Sequence, residues 1–229
     1  MRRSGTRPGR SLRMVTASVA VAGLVAVIAP SGGQALATPG RASVPRASAL
    51  FAQPVDPYAP YVGQWLCDPA PKAGVVDVLN LVRAAYRPRW WGIAGTCAST
   101  STSEHKEGRA LDIAFDAASP RERAAADDFL RWLLAPDQDG NQHAMARRLG
   151  VMYVIWNRQI WRSYRPQDGW QPYTGTPNPH TDHIHLSFSW EGALRQTTWW
   201  TQGGAMAAGA GGAVDPAAAA GRVSTDGDR

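Results

Sequence analysis

Apolar residues in the middle of the chain recur with either a helical period or strict alternation, and these two patterns predict helices and strands. The helical pattern runs over 75–86 and ends before Pro88. A second helix is predicted to begin at the S-P-R-E string of 119–122, which has the form of a capping box with proline at the first helical position. It is expected to stop at Pro136, and a shorter helix is predicted over 141–149.

Strands are predicted at 90–95, 110–115, 151–156 and 183–188, and a long loop is predicted between the last two. The resulting order is helix, strand, loop, strand, two helices, strand, long loop, strand. Helices and strands are separated enough along the chain to favour an α+β fold. We therefore predict a single domain with a small, mainly antiparallel sheet and flanking helices.

The N-terminal residues have the composition of an export signal. Five arginines and no acid precede or flank an apolar run over 14–30, and the small residues of the A-L-A string at 35–37 are typical of a cleavage site. The run is short for a transmembrane span. We expect a signal peptide at 1–37 and a secreted protein with no membrane attachment after cleavage.

Removal of this signal changes the charge of the chain. The full sequence has a formal charge of +6, and loss of the five arginines of the predicted signal leaves about +1. A nucleic-acid-binding protein needs a basic face on its folded domain. The sequence therefore predicts no nucleic-acid partner.

The rest of the chain divides into three parts. The segment 38–62 is rich in proline, alanine and serine and is predicted to be a linker or a loosely attached arm. The folded domain is predicted over 63–195. The stretch 203–229 is mostly glycine and alanine and is expected to be disordered, because it cannot bury enough apolar surface to offset its ordering entropy.

Cys67 and Cys97 are the two cysteines, and in an exported chain they predict a disulfide.

Four of the five histidines lie in two short clusters, SEHKEGRALD at 103–112 and HTDHIH at 180–185. Imidazole and carboxylate are ligands of catalytic zinc, which takes three protein ligands and keeps a fourth position open. On a strand, the side chains of His183 and His185 point to the same face and can both reach one metal ion, while Asp182 points to the other face. The two clusters therefore predict a zinc site.

The first cluster has the pattern S-x-H-x-x-G-x-A-x-D, which resembles the signature of the zinc peptidases grouped as lysostaphin, D-Ala-D-Ala and Hedgehog-type (LAS) enzymes. This resemblance implies a LAS-like fold and a metal bound by His105, Asp112 and His185. The longer strings EHKEGRALDI and HTDHIHLSFSW are also similar to a family of secreted actinobacterial proteins that share a C-terminal domain. That second resemblance covers roughly residues 63–193.

The resemblance further implies metal-assisted hydrolysis of an amide, for which neighbouring residues would move the protons. His183 and Asp182 are alternative bases: one branch of the group carries a histidine at the first position, and another carries glutamate at the second. Strand alternation favours His183, with Asp182 available to orient an imidazole. His180 either hydrogen-bonds the developing oxyanion or only forms part of the loop.

The remaining positions of the motif have open roles. Ser103 contacts either the substrate or the loop backbone. Arg109 either holds a substrate carboxylate or is a surface residue or the partner of a nearby acid. Glu104 and Glu107 are expected to be solvated loop charges. Gly108 is expected to supply a backbone shape that a side chain would block.

These observations together predict a secreted, cell-wall-associated zinc peptidase or amidase that cuts an amide bond of peptidoglycan. Export and zinc are inferred from the residues, whereas the wall substrate is implied by the resemblance alone. The expected partner is peptidoglycan or its peptide stems, and the protein is expected to be a monomer. The alternative is a non-catalytic wall-binding or interaction domain with a structural zinc, whose site would be closed by a fourth protein ligand. A serine or cysteine hydrolase is disfavoured because no nucleophile-elbow pattern is present.

Overall fold

The computed structural model describes residues 51, 54–175 and 178–202. The predicted signal peptide, most of the predicted linker and the 203–229 tail lie outside these residues. Within the described part, no helix combines the length and the apolar character needed to cross a membrane.

An antiparallel sheet forms the centre of the domain. Its strands are β1 (Trp91–Gly92), β2 (Ala110–Ala114), β3 (Val151–Trp156), β4 (Gln159–Arg162), β5 (Gln171–Pro172) and β6 (His183–Phe188). The six strands follow the spatial order β1-β2-β6-β3-β4-β5. The predicted α+β fold with one mainly antiparallel sheet is confirmed.

The helices of the described chain are α1 (Ala73–Tyr86), α2 (Pro120–Leu134), α3 (Ala144–Arg148), α4 (Trp190–Ala193) and α5 (Thr198–Thr201). The start of α2 is as predicted, since the Ser119 hydroxyl accepts a hydrogen bond from the Glu122 amide at 3.4 Å. The Glu122 carboxylate accepts instead from the Asp116 amide at 3.0 Å. Only half of the predicted capping box therefore forms.

The long loop predicted before β6 contains two strands that the hydrophobic pattern did not reveal. β3 and β4 form a hairpin whose two turn residues, Asn157 and Arg158, both have positive φ, 46° and 65°. A turn of this kind is usually marked by glycine at its second position. Because arginine takes that position here, the usual sequence signal for a hairpin is missing.

The two faces of the sheet have different surroundings. On β6, Ile184, Leu186 and Phe188 belong to the main hydrophobic core with α1 and α2. Side chains alternate along a strand, so His183 and His185 point to the opposite face. The predicted site residues of β6 therefore lie on the face of the sheet that turns away from the main core.

Both ends of the described chain pack on the domain beyond its predicted limits of 63 and 195. Asp56 lies inside the predicted linker. Its carboxylate oxygens accept hydrogen bonds from the Thr198 amide at 3.0 and 3.1 Å, and its backbone carbonyl accepts one from Arg147 Nε at 2.7 Å. Trp199 of α5 is buried in the core. The described part of the predicted linker is thus attached to the fold.

Cys67 and Cys97 form the predicted disulfide, with their Cα atoms 6.0 Å apart. The bridge joins the segment 61–72, here named the strap, to the loop 93–103. Both segments donate a backbone hydrogen bond to the turn that carries the first candidate ligand, His105.

Candidate metal centre

Two paired strands and one short turn bring His105, Asp112 and His185 together. Asp112 on β2 lies directly opposite His185 on β6 in the strand register. His105 belongs to a 3₁₀ turn, Glu104–Glu107, that precedes β2. All three side chains are buried, and their ligand atoms form a group that could hold a metal ion.

The three facing atoms are His105 Nε2, His185 Nδ1 and Asp112 Oδ1. The two nitrogens are 3.3 Å apart, and the oxygen is 3.2 Å from His105 Nε2 and 2.9 Å from His185 Nδ1. Tetrahedral zinc at about 2.0–2.1 Å from each ligand needs neighbouring ligand atoms about 3.3–3.4 Å apart. The triangle therefore fits such an ion with only small movements of the side chains.

In each histidine ligand, the ring nitrogen that points away from the metal position has a hydrogen-bond partner. These partners determine which nitrogen of each ring faces the metal. His105 Nδ1 donates to the carbonyl oxygen of Ile93 at 2.9 Å, and His185 Nε2 lies 3.1 Å from the hydroxyl of Ser187. Partners of this kind fix the tautomer and ring orientation of metal-binding histidines. Ser187 was not among the predicted site residues, although its place two residues after His185 on the same strand face was a usable signal.

Asp112 is held as a carboxylate. Burial alone would raise the pKa of its carboxyl group, but the charge of the neighbouring His105 and the close side-chain contacts with His105 and His185 outweigh burial. Together they hold the pKa well below its ordinary value of 3.8. The ligand set is therefore two imidazoles and an ionised carboxylate, which suits zinc and several other divalent metals.

Local geometry explains the fixed positions of the motif around the turn. The Ser103 hydroxyl accepts from the His105 amide at 3.3 Å, so this side chain caps the turn. Gly108 ends the turn with φ +61°, and a Cβ there would overlap the carbonyl oxygen of Ala70 in the strap, which confirms the predicted need for glycine. Gly95, which the sequence analysis missed, is also constrained, since its Cβ would lie 2.8 Å from His105 Cβ.

The prediction that Glu104 and Glu107 are solvated charges is wrong: their exposed fractions are 2% and 0%. Glu107 accepts hydrogen bonds from the Trp65 amide at 2.9 Å and the Leu66 amide at 3.1 Å. It also pairs with the fully buried Arg109 through an Nη2–Oε2 distance of 2.6 Å. These partners stabilise the buried carboxylate of Glu107, which burial alone would disfavour.

Arg109 is thus the partner of a nearby acid, and its burial excludes the role of a surface residue. Its Nη1 donates to the Phe188 carbonyl at 2.8 Å and its Nη2 to the Val62 carbonyl at 2.7 Å. The guanidinium faces protein groups on several sides. This geometry gives no support to the alternative in which Arg109 holds a substrate carboxylate.

His183 lies beside the triad with one nitrogen engaged. Its Nδ1 is 2.9 Å from Asp182 Oδ1, and its Nε2 is 3.7 Å from Asp112 Oδ1. The Nε2 atom is buried and has no hydrogen-bond partner among the described residues. Asp182 itself is exposed, so it can orient the imidazole from the solvent side.

His180 packs against His183, with ring centroids 4.7 Å apart. Burial first, and then the charges of His185 and His183, lower the pKa of His180 to about 3, so the ring is neutral. Its Nδ1 donates to the Asn178 carbonyl at 3.0 Å. The proton is therefore on Nδ1, and the buried Nε2 carries a lone pair. This tautomer argues against one of the two roles left open for His180, that of a hydrogen-bond donor to an oxyanion.

Within the described chain, the group of clustered ligand atoms contains His105, Asp112 and His185 and no fourth His, Cys, Asp or Glu. Fold and site together define the class of the protein: an α+β domain with a buried His-Asp-His triad able to hold a metal ion.

The chain belongs to the family described as VldE, C-terminal domain, whose sequence model matches residues 67–184. The matched range includes two of the three candidate ligands, His105 and Asp112, and ends one residue before His185. No curated protein and no solved structure matches the chain.

Proposed function

We propose that this protein is a secreted zinc-dependent peptidase or amidase that hydrolyses an amide bond of cell-wall peptidoglycan. One observation carries the proposal: three buried ligand atoms with the spacing of a tetrahedral site lie next to the Nε2 atom of His183, which has no hydrogen-bond partner in the described part of the chain. The resemblance of the motif to LAS peptidases supports an amide as the bond that is cut. The signal-like N-terminus supports a substrate outside the cell.

Zinc bound by the triad would supply an acidified water molecule and a polarised substrate carbonyl. His183 Nε2, within 3.7 Å of Asp112 Oδ1, accepts the proton of the attacking water and returns it to the leaving amine. Asp182 accepts the Nδ1 proton of His183 and thereby keeps the basic lone pair on Nε2. We assign the base to His183 and the orienting role to Asp182.

His180 would then contact the substrate as a hydrogen-bond acceptor. Its Nε2 lone pair is buried, and its ring lies against the rings of His183 and His185 at 4.7 and 5.8 Å. A substrate N–H is the natural partner for such an atom, since an unpaired buried acceptor is costly.

A non-catalytic wall-binding domain is the alternative. A structural zinc is normally closed by four protein ligands. The described residues provide three clustered ligands, so they favour the catalytic proposal.

The test measures zinc content and the release of soluble muropeptides by the purified protein, with wild type beside His183→Ala and His143→Ala. His143 is a matched control because it is an imidazole outside the two clusters. We expect zinc in all three proteins, release by wild type and His143→Ala, and a roughly 10²–10⁴-fold lower rate for His183→Ala.

Zinc without release from a broad panel of peptidoglycans would favour the wall-binding alternative. A His183→Ala protein with zinc and a wild-type rate would remove His183 from the mechanism.

A further inference from the structure

A line of buried side chains leads away from the metal position on the far side of His185. His185 Nε2 lies 3.1 Å from Ser187 Oγ, and Ser187 Oγ lies 3.2 Å from Glu104 Oε2. The hydroxyl of Tyr153 donates to the same Glu104 oxygen at 2.5 Å. Arg109 Nη2 is 3.8 Å from the second Glu104 oxygen.

The direction of these hydrogen bonds follows from the chemistry of the groups. A carboxylate only accepts, so the hydroxyl of Ser187 donates to Glu104. The lone pairs of Ser187 Oγ then remain for the Nε2 proton of His185. With its proton on Nε2, neutral His185 presents the lone pair of Nδ1, and this is the atom that faces Asp112 and His105.

The fold produces this line from separate parts of the sequence. Ser187 follows His185 on the same face of β6, and Tyr153 lies opposite Ser187 in the β3–β6 register. The Tyr153 ring also stacks on His185, with centroids 5.6 Å apart and an interplanar angle of 21°. Glu104 precedes His105 in the 3₁₀ turn. One turn therefore carries both a ligand and the residue that reaches the other histidine ligand.

We propose that Glu104, acting through Ser187, is a positioning residue that fixes the His185 ring for metal binding through Nδ1 and so sets zinc affinity. This inference rests on the metal centre of the proposed function and is independent of hydrolysis.

The test is the zinc affinity of the purified protein, measured by competition with a chromophoric chelator. We expect Ser187→Ala and Glu104→Gln each to bind zinc about 10- to 100-fold more weakly than wild type. The double variant should bind no more weakly than Ser187→Ala alone, because Glu104 acts through Ser187. A purely structural contribution of Glu104 would not produce this lack of additivity.

Two further variants complete the design. Ser187→Thr retains the hydroxyl and should restore most of the affinity. Glu191→Gln removes an exposed carboxylate on α4 and should bind zinc as wild type does. Thermal melts of the metal-free proteins show whether each variant folds, and if Ser187→Ala does not fold, Glu104→Gln beside Ser187→Thr decides the question.

Wild-type affinity in Ser187→Ala or in Glu104→Gln would overturn the inference, as would losses that multiply in the double variant. A wild-type protein that binds no zinc would overturn both this inference and the proposed function. Zinc binding with the expected coupling but without hydrolysis would support the inference while contradicting the proposed function.

Discussion

Removal of the Cys67–Cys97 disulfide, as Cys67→Ser with Cys97→Ser, should destabilise the domain and weaken its metal centre. On the strap side, the Asp68 amide next to Cys67 donates to the Lys106 carbonyl of the 3₁₀ turn at 2.7 Å. On the loop side, the Gly95 amide donates to the carbonyl of His105 at 2.9 Å. The bridge therefore links two segments that hold one ligand between them.

The magnitude follows from the length of chain that the bridge closes. The two cysteines are 30 residues apart in sequence. For a loop of that size, the chain-entropy relation gives about 12 cal/mol/K, or about 3.7 kcal/mol at 25 °C. A loss of about 3–4 kcal/mol is a large fraction of the roughly 5–15 kcal/mol by which domains are stable.

Urea denaturation of the metal-free proteins measures this loss as a lower midpoint. Ser99→Ala serves as the control, because it changes a partly exposed residue of the same loop and leaves the bridge intact. Zinc affinity of the folded double variant should also fall, since the loop that orients His105 is less restrained. A loss of free energy below about 1 kcal/mol, with unchanged zinc affinity, would refute this reasoning about the bridge.

Two further predictions concern a glycine and a histidine of the site. Gly108→Ala should lower the free energy of unfolding by more than Gly140→Ala, because both positions have positive φ but only Gly108 has a neighbouring carbonyl in the way. Urea denaturation checks this, and equal losses of about 1–2 kcal/mol would show that only the left-handed backbone matters. The lowered pKa of His180, about 3 against an ordinary 6.5, means that between these values the unfolded chain binds a proton that the folded chain excludes. The free energy of unfolding of the metal-free protein should therefore decrease as the pH is lowered, by about 2 kcal/mol between pH 7 and pH 5. Unfolding of His180→Gln should lack this part of the dependence, and an unchanged slope would contradict the burial of a neutral ring.

Candidate ligands could be found in the sequence because their signals are local, whereas the choice of His105, Asp112 and His185 among them came from the resemblance to LAS peptidases. His105 and Asp112 belong to one short string, and the alternation of β6 places His183 and His185 on one face. The pairing of Asp112 with His185 then needs only two adjacent antiparallel strands.

The surroundings of the triad could not be predicted in the same way. Glu104 and Glu107 were predicted to be surface charges because their hydrogen-bond partners come from distant parts of the chain. The amide of Trp65 is 42 residues from Glu107 in sequence, and the hydroxyl of Tyr153 is 49 residues from Glu104. The residues near Glu104 and Glu107 in sequence do not indicate these distant partners. The burial of the two carboxylates can therefore be recognised only from the fold.

The most direct test of the metal centre is the zinc content of the purified protein, measured by elemental analysis for wild type, Asp112→Asn and Asp128→Asn. Asn at 112 keeps the shape of the ligand but removes its charge, and Asp128 is an exposed aspartate on α2 that serves as the control. We predict stoichiometric zinc in wild type and Asp128→Asn and at most a trace in Asp112→Asn. A wild-type protein without bound metal, or an Asp112→Asn protein with a full complement of zinc, would contradict the assignment of His105, Asp112 and His185 as the metal-binding triad.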